Sequence, residues 1–352
     1  MTEWGLVALV PAIAISLLDI SLLARYISGS HGGQARTSGE PVSVIVAAYN
    51  AQRTIRGTLE SIISGILPEG SEIIVVDDGS TDDTLGQCRE VDDRRIVIVH
   101  EGHVGKWSAL NRGAALARHE HVVMVDADTE VDSDAIAILS RRLDECDAVA
   151  GNLFVKGNGS VIGRVQAQEH LRISMFRRSE GAVETVSGPL AAFRRDLLMK
   201  NPFRESCVED FEHTARIRRG GARICYEPLA RARTSMPSGF GDYLRQRSRW
   251  ARGTLEEMRA MGIPMRTFLK GYMISILDVM VIPLCIVFGR YDAIMVLFAV
   301  EALVQSYGSY KETSVVTPGS VLFLPMLIFL AFMHLYMNMD ALFDISHNHN
   351  NV

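Results

Sequence analysis

Residues 71–80 read SEIIVVDDGS and residues 121–128 read HVVMVDAD, and these two stretches decide the fold. Each is a short, β-branched apolar run that ends in paired carboxylates. Such runs are typical of parallel strands that are buried on both faces. A third run, VSVIVAAY at residues 42–49, has the same character. The sequence therefore predicts several buried strands, two of which end in acidic residues.

Helix-forming stretches alternate with these strands. Residues 54–66, 82–90 and 106–118 predict helices, and residues 95–99 predict a further strand. Strand–helix alternation predicts an α/β fold with a mostly parallel sheet that is covered by helices on both faces. Ligands of such sheets bind at the carboxyl ends of the strands. Because the acidic residues lie at those ends, the fold and the chemistry indicate the same site.

The composition limits the class of protein. The chain has 352 residues, of which 48% are hydrophobic, and a formal net charge of −5. This charge gives no indication of nucleic-acid binding. The five cysteines are an odd number without metal-ligand spacing, so we expect reduced thiols rather than a disulfide framework.

An apolar run covers residues 4–24, long enough at about 1.5 Å per residue to cross a hydrocarbon core of about 30 Å. Glu3 precedes the run and Arg25 follows it, which is not the pattern of a cleaved signal peptide. We predict a retained transmembrane anchor at residues 1–25 and a polar linker at 26–40. The basic residue after the run places the next domain in the cytoplasm, and the chain is predicted to be an integral protein of the plasma membrane.

Three more apolar stretches, residues 272–289, 293–308 and 321–339, predict about three transmembrane helices within residues 266–345. The middle stretch is the weakest, because Glu301 interrupts it. Ionisable groups are costly in such stretches, so they either pair between helices or line a polar path through the membrane. The acidic residues concerned are Asp19, Asp278 and Glu301.

Asp126 and Asp128, in the DAD sequence at a predicted strand end, are candidate metal ligands. Side chains two positions apart on an extended segment project to the same side. Two carboxylates suit a divalent cation such as Mg²⁺ or Mn²⁺, with positions left for phosphate oxygens. Such an ion would neutralise the charge on a leaving nucleoside diphosphate.

Asp77 and Asp78 end the preceding strand and have two interpretations. They form an ordinary Asp-Gly-Ser turn, or they hydrogen-bond to a base or ribose. Tyr49, at the end of the first strand, is placed to stack on that base, and Lys106 is a candidate diphosphate contact. The glycine spacing before this lysine does not match a P-loop, which argues against a nucleoside triphosphatase.

Glu209 and Asp210 open a predicted helix that Gly220 and Gly221 close. A carboxylate at a helix N-terminus is stabilised in its charged form, which suits a general base. A simple helix cap explains the same placement, so this pattern alone leaves both interpretations open.

Within YLRQRSRW, three residues at i, i+3 and i+4 share one face of a predicted helix: Gln246, Arg249 and Trp250. A guanidinium binds diphosphate and an indole stacks on a sugar ring. The alternative is a basic amphipathic helix on the membrane surface, over residues 241–265. Both interpretations are compatible, on different faces of the helix. The basic residues that favour the second are Arg245, Arg247 and Arg252.

In this order, the motifs resemble family 2 glycosyltransferases of the membrane-bound, polymer-forming kind. Those include poly-N-acetylglucosamine, hyaluronan, chitin and cellulose synthases, of which the first two types are the most similar. The resemblance covers about residues 41–253 and implies a cytosolic GT-A-like domain at 41–240. The motifs that carry it are VVDDGS, GKWSALN, VDADTEVDSDA, SGPLAAFRRD, VEDFEHTARIRRGGARICYEP and QRSRW.

The resemblance implies a role for each motif. Asp78 with Asp77 would hold the uridine of a UDP-sugar, best matched by UDP-N-acetylglucosamine. Asp126 and Asp128 would bind the diphosphate and the metal, and Asp210 would deprotonate the acceptor hydroxyl. The family inverts at the anomeric carbon, so the product would be β-linked. The residues where acceptor sugar and diphosphate would meet are Gln246, Arg249 and Trp250.

The sequence departs from the family at two positions. Val208 replaces the Thr that often precedes Glu-Asp, and Ala51 replaces an acidic residue that commonly follows Tyr-Asn. We find no counterpart of the gating loop of cellulose synthase. The alternative is a transferase that adds one sugar to a membrane lipid and resembles ceramide glucosyltransferase. A catalytically inactive scaffold is a third hypothesis, which the presence of every expected acid disfavours.

Overall fold

The computed structural model describes residues 3–28, 39–157, 159–180, 183, 185–186, 188–264 and 280–313. Asp278, the predicted span at residues 321–339 and the part of the 272–289 span before residue 280 lie outside the described residues. The chain divides into a sheet unit, Ser30–Lys156 and Gly181–Met236, and a helical unit, Met1–Gly29, Gly157–Glu180 and Pro237–Val352.

The elements follow one another in chain order, and the helical unit contains α1, α6, α9, α10 and α11. They are α1 (Glu3–Ser28), β1 (Val42–Ala48), α2 (Ile55–Ile63), β2 (Glu72–Asp78), α3 (Thr84–Arg89), β3 (Ile96–Glu101), α4 (Lys106–Leu116), β4 (His121–Asp126), β5 (Thr129–Val131), α5 (Ala135–Arg142), β6 (Ala148–Val155), α6 (Val161–Glu180), β7 (Leu190–Arg194), α7 (Arg195–Lys200), α8 (Glu209–Arg219), β8 (Ile224–Thr234), α9 (Phe240–Ala260), α10 (280–287) and α11 (Tyr291–Thr313).

The sheet unit is built on one eight-stranded sheet of order β3-β2-β1-β4-β7-β6-β8-β5. Strands β1 to β4 are parallel, and β7 runs antiparallel between β4 and β6. This mixed, GT-A-like sheet confirms the predicted fold class. Because β1, β2 and β4 are parallel neighbours, their carboxyl ends meet at one edge of the sheet.

Apolar side chains alternate between the two faces of β1 and fill two separate layers. Val44 and Val46 lie in one layer with α2 and α5 residues, and Ile45 lies in the other layer with α4 and α8 residues. Helix α4 packs very closely against β1 at Gly113. A Cβ added there would lie 2.4 Å from Cγ2 of Ile45. Burial on both faces is what the near-continuous apolar runs predict.

Two of the five cysteines form a disulfide, so the expectation of reduced thiols is wrong for this pair. Cys146 and Cys225 are bonded, with their Cα atoms 6.2 Å apart and a sequence separation of 79. The parallel pairing of β6 with β8 brings them together, because Val149 of β6 lies opposite Cys225. The spacing of the cysteines in the sequence does not indicate this pairing. The free cysteines are Cys88, Cys207 and Cys285.

Among the residues that the structure describes, two helices are long and apolar enough to cross a membrane: Leu9–Ser28 within α1 and Tyr291–Glu312 within α11. They correspond to the predicted N-terminal anchor and to the middle C-terminal stretch. Helix α6 packs against both of them, with Leu171 and Met175 buried beside Tyr26 of α1 and Val304 of α11. Along the chain α6 lies within the predicted domain 41–240, and in space the whole of α6 belongs to the helical unit.

Arg172 of α6 pairs with an acidic residue of each of these apolar helices, Asp19 of α1 and Glu301 of α11. Its guanidinium contacts Oδ1 of Asp19 at 2.6 Å and Oε1 of Glu301 at 2.8 Å. Gln305 donates a further hydrogen bond to Glu301 at 3.0 Å. Of the two predicted interpretations, pairing between helices is the one observed for Asp19 and Glu301. A second pair, Arg178 with Glu312, repeats the arrangement at 2.6 Å.

Candidate functional site

A cleft of about 700 Å³ opens at the sheet edge where β1, β2 and β4 end. This volume lies within the range of about 300–1,000 Å³ that is typical of small-molecule sites. Five residues predicted from the sequence line it: Tyr49, Asp78, Lys106, Asp126 and Asp128. Sequence analysis missed other polar residues of the lining, among them Asp82, His103 and Ser235.

The two aspartates at the end of β2 occupy different positions. Asp78 lines the cleft and accepts hydrogen bonds from the backbone N–H groups of Val104 at 2.8 Å and Gly105 at 3.0 Å. The Asp77 side chain is fully buried, where its Oδ2 lies 2.6 Å from Nδ1 of His100. Asp77 therefore lies beneath the cleft, among neighbouring strand residues, and is not part of its lining.

Two rings are stacked at the cleft. The Tyr49 and His103 ring centroids are 4.2 Å apart with an interplanar angle of 18°. Nδ1 of His103 lies 2.8 Å from Oδ2 of Asp78. Gly79 allows this close approach, because its φ is +71° and an added Cβ would lie 2.6 Å from the backbone nitrogen of His103. His103 is a site residue that no sequence motif indicated.

The DAD segment differs in conformation from the expectation. Strand β4 ends at Asp126, and residues 127–128 form a turn, so the two carboxylates do not lie on one extended segment. Both still line the cleft. Burial, followed by the charge of Asp126, raises the pKa of Asp128. Among the described residues, no three or more His, Cys, Asp or Glu side chains are grouped so that they could hold a metal ion.

Lys106, at the first position of α4, neutralises the acidic side chains around it. Its Nζ lies 2.7 Å from Oδ1 of Asp126 and 3.3 Å from Oε1 of Glu209. Burial alone would lower the pKa of Lys106, but the charges of Asp126 and Glu209 raise it above its usual range. The ammonium therefore stays charged and links the end of β4 to the start of α8.

Gly188, in the turn before β7, marks the point where these groups converge. A Cβ added there would lie 3.3 Å from Nζ of Lys106, 3.8 Å from Oδ2 of Asp210 and 3.9 Å from Oδ2 of Asp126. The backbone carbonyl of Pro189 accepts a hydrogen bond from the N–H of Asp126 at 3.3 Å. Any side chain at Gly188 would occupy the space between the three charged groups. The sequence contained this residue in SGPLAAFRRD, but its role was not predicted.

Asp210 lies in the first turn of α8, as predicted, but its surroundings act against its ionisation. Burial and the charge of Glu209 raise the pKa of Asp210, while Lys106 and the N–H groups of Phe211 and Gly188 lower it. The net direction is upward. Lys106 and the two N–H groups, which favour the charged form, therefore contribute less than burial and Glu209 together.

Residues 40–253 match the sequence profile described as "Glycosyltransferase like family 2". The chain is a family 2 glycosyltransferase. This result confirms the resemblance that the ordered motifs indicated.

The relatives of this glycosyltransferase include two synthases of poly-N-acetylglucosamine. The chain is 31% identical over 263 residues to "Poly-beta-1,6-N-acetyl-D-glucosamine synthase" of Staphylococcus aureus (strain COL), which covers 69% of this chain and 63% of the relative. It is 32% identical over 226 residues to the synthase of the same name from Staphylococcus epidermidis, covering 61% of this chain and 54% of the relative. The matched region thus spans less than two thirds of either relative.

A solved structure extends the likeness in fold to almost the whole glycosyltransferase. "Mannosyltransferase PcManGT from Pyrobaculum calidifontis in complex with GDP-Man and Mn2+" aligns with a TM-score of 0.59 at 22% sequence identity. The alignment covers 96% of this chain and 99% of that chain. At this identity the likeness concerns the fold alone.

The last motif of the glycosyltransferase lies on α9, in the helical unit. Gln246, Arg249 and Trp250 are all helical, so their spacing places them on neighbouring turns of one helix. Arg249 is exposed, whereas Gln246 and Trp250 are partly buried. The guanidinium of Arg247 lies 4.8 Å from the Trp250 ring centroid and 2.6 Å from Glu169 of α6. Arg247, one of the arginines that favoured a membrane-surface helix in the sequence analysis, therefore forms an ion pair between α9 and α6.

His213 of α8 is buried beside the site. Its lowered pKa predicts that the stability of the fold is sensitive to acid. Its ring stacks on Phe203 at 4.1 Å, and its Nε2 contacts the carbonyl of Asn201 at 2.8 Å. Burial lowers the pKa of His213 to about 4 from its ordinary value of 6.5. Between these values the unfolded chain binds a proton that the folded chain does not. Stability therefore falls as the pH falls through this window, by up to about 3 kcal/mol.

Replacing His213 by Gln removes the titrating group and keeps a donor for the Asn201 carbonyl. We expect the thermal unfolding temperature of His213→Gln to fall less between pH 7 and pH 4.5 than that of the wild type. Scanning fluorimetry of the full chain in detergent measures the difference. Equal falls in both proteins would contradict the assignment of this acid sensitivity to His213.

Proposed function

We propose that this glycosyltransferase is an inverting, metal-dependent polysaccharide synthase. It takes a UDP-sugar, with UDP-N-acetylglucosamine as the best candidate, and extends a β-linked glycan at the cytoplasmic face of the membrane. The convergence of Lys106, Asp126 and Asp210 around Gly188, beside a cleft of nucleotide-binding size, is the observation that carries the proposal. The names of the staphylococcal relatives favour N-acetylglucosamine and a polymeric product.

The donor is proposed to bind along the cleft. Its base lies near Tyr49 and Asp78, and its diphosphate extends towards Lys106 and the DAD segment. Asp126 and Asp128 fit a divalent ion, because both present hard oxygen ligands in an open cleft and diphosphate oxygens can complete the coordination. Mg²⁺ or Mn²⁺ there would neutralise charge on the leaving diphosphate. The mannosyltransferase of similar fold was solved with Mn²⁺.

Three side chains are proposed to carry the transfer. Asp210 accepts the proton of the acceptor hydroxyl as its oxygen attacks the anomeric carbon. Glu209 holds Lys106 at 3.3 Å and so keeps a positive charge beside the leaving group. Attack from the face opposite the diphosphate inverts the anomeric centre, so an α-linked donor gives a β-linked product without a covalent intermediate.

The helical unit is proposed to anchor the enzyme and to bind the acceptor. Helices α1 and α11 have the length and apolar character of membrane spans. Arg25 at the end of α1 supports a cytoplasmic sheet unit under the positive-inside rule. Gln246, Arg249 and Trp250 of α9 are the candidate contacts for acceptor sugar and diphosphate. Oε1 of Gln246 is buried and has no hydrogen-bond partner among the described residues, which suits a group that binds a ligand.

Product size tests the proposal. The purified full chain in detergent is incubated with radiolabelled UDP-N-acetylglucosamine or UDP-glucose, each with Mn²⁺, with Mg²⁺ or with EDTA. We expect a ladder of high-molecular-weight product from UDP-N-acetylglucosamine, and no product in EDTA. A single organic-extractable product that requires added lipid would contradict the polymerase and support the lipid glycosyltransferase. Failure of transfer under every condition would support the inactive scaffold.

A further inference from the structure

Backbone groups just before β7 connect the candidate base to the candidate metal ligand. The residues concerned are Val186, Gly188 and Pro189, which we call the pre-β7 residues. The N–H of Gly188 donates a hydrogen bond to the carboxylate of Asp210. The carbonyl of Pro189, the next residue, accepts a hydrogen bond from the N–H of Asp126 at 3.3 Å. A contact that fixes the pre-β7 residues therefore also fixes how Asp210 lies relative to Asp126.

Thr214 of α8 makes such a contact. Its Oγ1 accepts a hydrogen bond from the N–H of Val186 at 2.9 Å and donates one to the carbonyl of Asp210 at 2.6 Å. A hydroxyl has one hydrogen to donate and two lone pairs that accept, so both bonds form at the same time. Thr214 lies about one helical turn after Asp210. Its hydroxyl therefore joins the first turn of α8 to the pre-β7 residues.

This hydroxyl bridge is closed to solvent. Thr214 is 0% exposed and Val186 is 2% exposed. The Val186 side chain lies in the apolar layer that also contains Leu110 and Met124. Among the described residues, the N–H of Val186 has no partner besides Thr214. Loss of the hydroxyl would leave this N–H buried and unpaired, which is costly, so the pre-β7 residues would shift towards another partner.

We propose that Thr214 is a positioning residue for the transfer reaction. Its hydroxyl holds the pre-β7 residues against α8, so that the N–H of Gly188 keeps the Asp210 carboxylate in its reactive orientation. The inference rests on the proposed function, in which Asp210 is the base. Thr214 acts through its neighbours, because it is not part of the cleft lining.

Substitution of the hydroxyl tests the proposal. Thr214→Val keeps the shape of the side chain and removes the hydroxyl. A displacement of about 1 Å at the reacting groups costs about 10²-fold in rate, so we expect kcat to fall about 10- to 100-fold. The KM for the UDP-sugar and the affinity for UDP should be nearly unchanged. Thr214→Ser restores the hydroxyl and should recover most of the rate. Initial rates and calorimetric titration with UDP, on the full chain in detergent with Mn²⁺, measure these quantities.

Ser71 provides the matched control, because its hydroxyl forms the same pair of contacts at the opposite end of the sheet. It accepts a hydrogen bond from the N–H of Val42 at 3.1 Å and donates one to the carbonyl of Pro68 at 2.7 Å. Ser71 is 5% exposed. Val42 begins β1, whereas the cleft opens where β1 ends. Ser71→Ala should lower the unfolding temperature, as Thr214→Val does, but leave kcat nearly unchanged.

Hydrogen exchange of the wild type tests the bridge without any substitution. Hydrogen–deuterium exchange, resolved to single amides, should show that the N–H of Val186 is strongly protected. The same amide should exchange faster in Thr214→Val. Rapid exchange of the Val186 amide in the wild type would contradict the bridge, and this result does not depend on whether a variant folds.

The outcomes distinguish the inference from the proposed function. If the wild type transfers sugar and Thr214→Val has the same kcat, the inference is wrong. It is also wrong if Ser71→Ala loses as much rate, if Thr214→Ser recovers none of it, or if UDP affinity falls together with kcat. If the wild type transfers sugar from no UDP-sugar, the proposed function is itself wrong, and the exchange of the Val186 amide still decides whether the bridge exists.

Discussion

Replacing Asp210 by Asn is expected to lower the rate of sugar transfer by about 10²- to 10⁴-fold, the usual contribution of a general base. Asn has nearly the same shape, so Gly188 and Lys106 should keep their positions. It cannot accept the proton of the acceptor hydroxyl. UDP affinity should remain nearly unchanged, because Asp210 is not part of the cleft lining. Initial rates and calorimetric titration with UDP measure the two quantities separately.

The control for Asp210→Asn is Asp196→Asn. Asp196 also lies in the first turn of a helix, but it is exposed and forms an exposed ion pair with the nearby Lys200, at 3.0 Å. This variant should transfer sugar within about twofold of the wild type, since its ion pair is an exposed one of small effect. A loss of UDP affinity as large as the loss of rate would make Asp210 a nucleotide-binding residue. An unchanged rate would exclude it as the base.

Replacing Arg172 by Met is expected to lower the stability of the helical unit strongly. The substitution removes the cation that Asp19 and Glu301 share, and these residues are only 4% and 3% exposed. Breaking a buried ion pair by removal of one partner costs about 3–5 kcal/mol. We expect a lower unfolding temperature in detergent and easier proteolysis near α6.

Two comparisons test the physical reason for this loss. Arg164→Met changes an exposed arginine of the same helix and should have little effect. The triple variant Asp19→Asn, Arg172→Met, Glu301→Gln removes all three charges together and should regain most of the lost stability, because no uncompensated charge stays buried. A triple variant as unstable as Arg172→Met alone would show that packing, and not charge pairing, accounts for the effect.

The first half of the sheet unit could be predicted from the sequence with small errors at the ends of elements. The strand predicted at residues 95–99 is Ile96–Glu101, and the helix predicted at 54–66 is Ile55–Ile63. These elements have strong local signals. The buried strands are continuous apolar runs, and the stretches between them have the residue pattern of helices. Strands β5 to β8 were not predicted. The burial of β8 follows no simple alternation, and β5 has only three residues.

The candidate site could be predicted where its residues follow strands or open helices. Tyr49, Asp78 and Asp126 lie at strand ends, and parallel neighbouring strands place such residues at one edge. The geometry of the DAD segment was wrong in detail, because an extended conformation was assumed where the chain turns. Gly188 and His103 were missed as functional residues. Gly188 lies among charged residues from other parts of the chain, and His103 contacts Asp78. No local sequence motif indicates these contacts.

By itself, the sequence determined the family, the fold class and the acidic residues of the site, because these depend on local patterns and on the order of motifs. Tertiary structure alone decided which distant residues meet. Cys146 bonds to Cys225, and Arg172 pairs with Asp19 and Glu301, which are 153 and 129 positions away in the sequence. It also placed Asp210 where burial and the charge of Glu209 raise its pKa. The reason is physical: burial and charge pairing depend on distances in space, which a linear pattern does not contain.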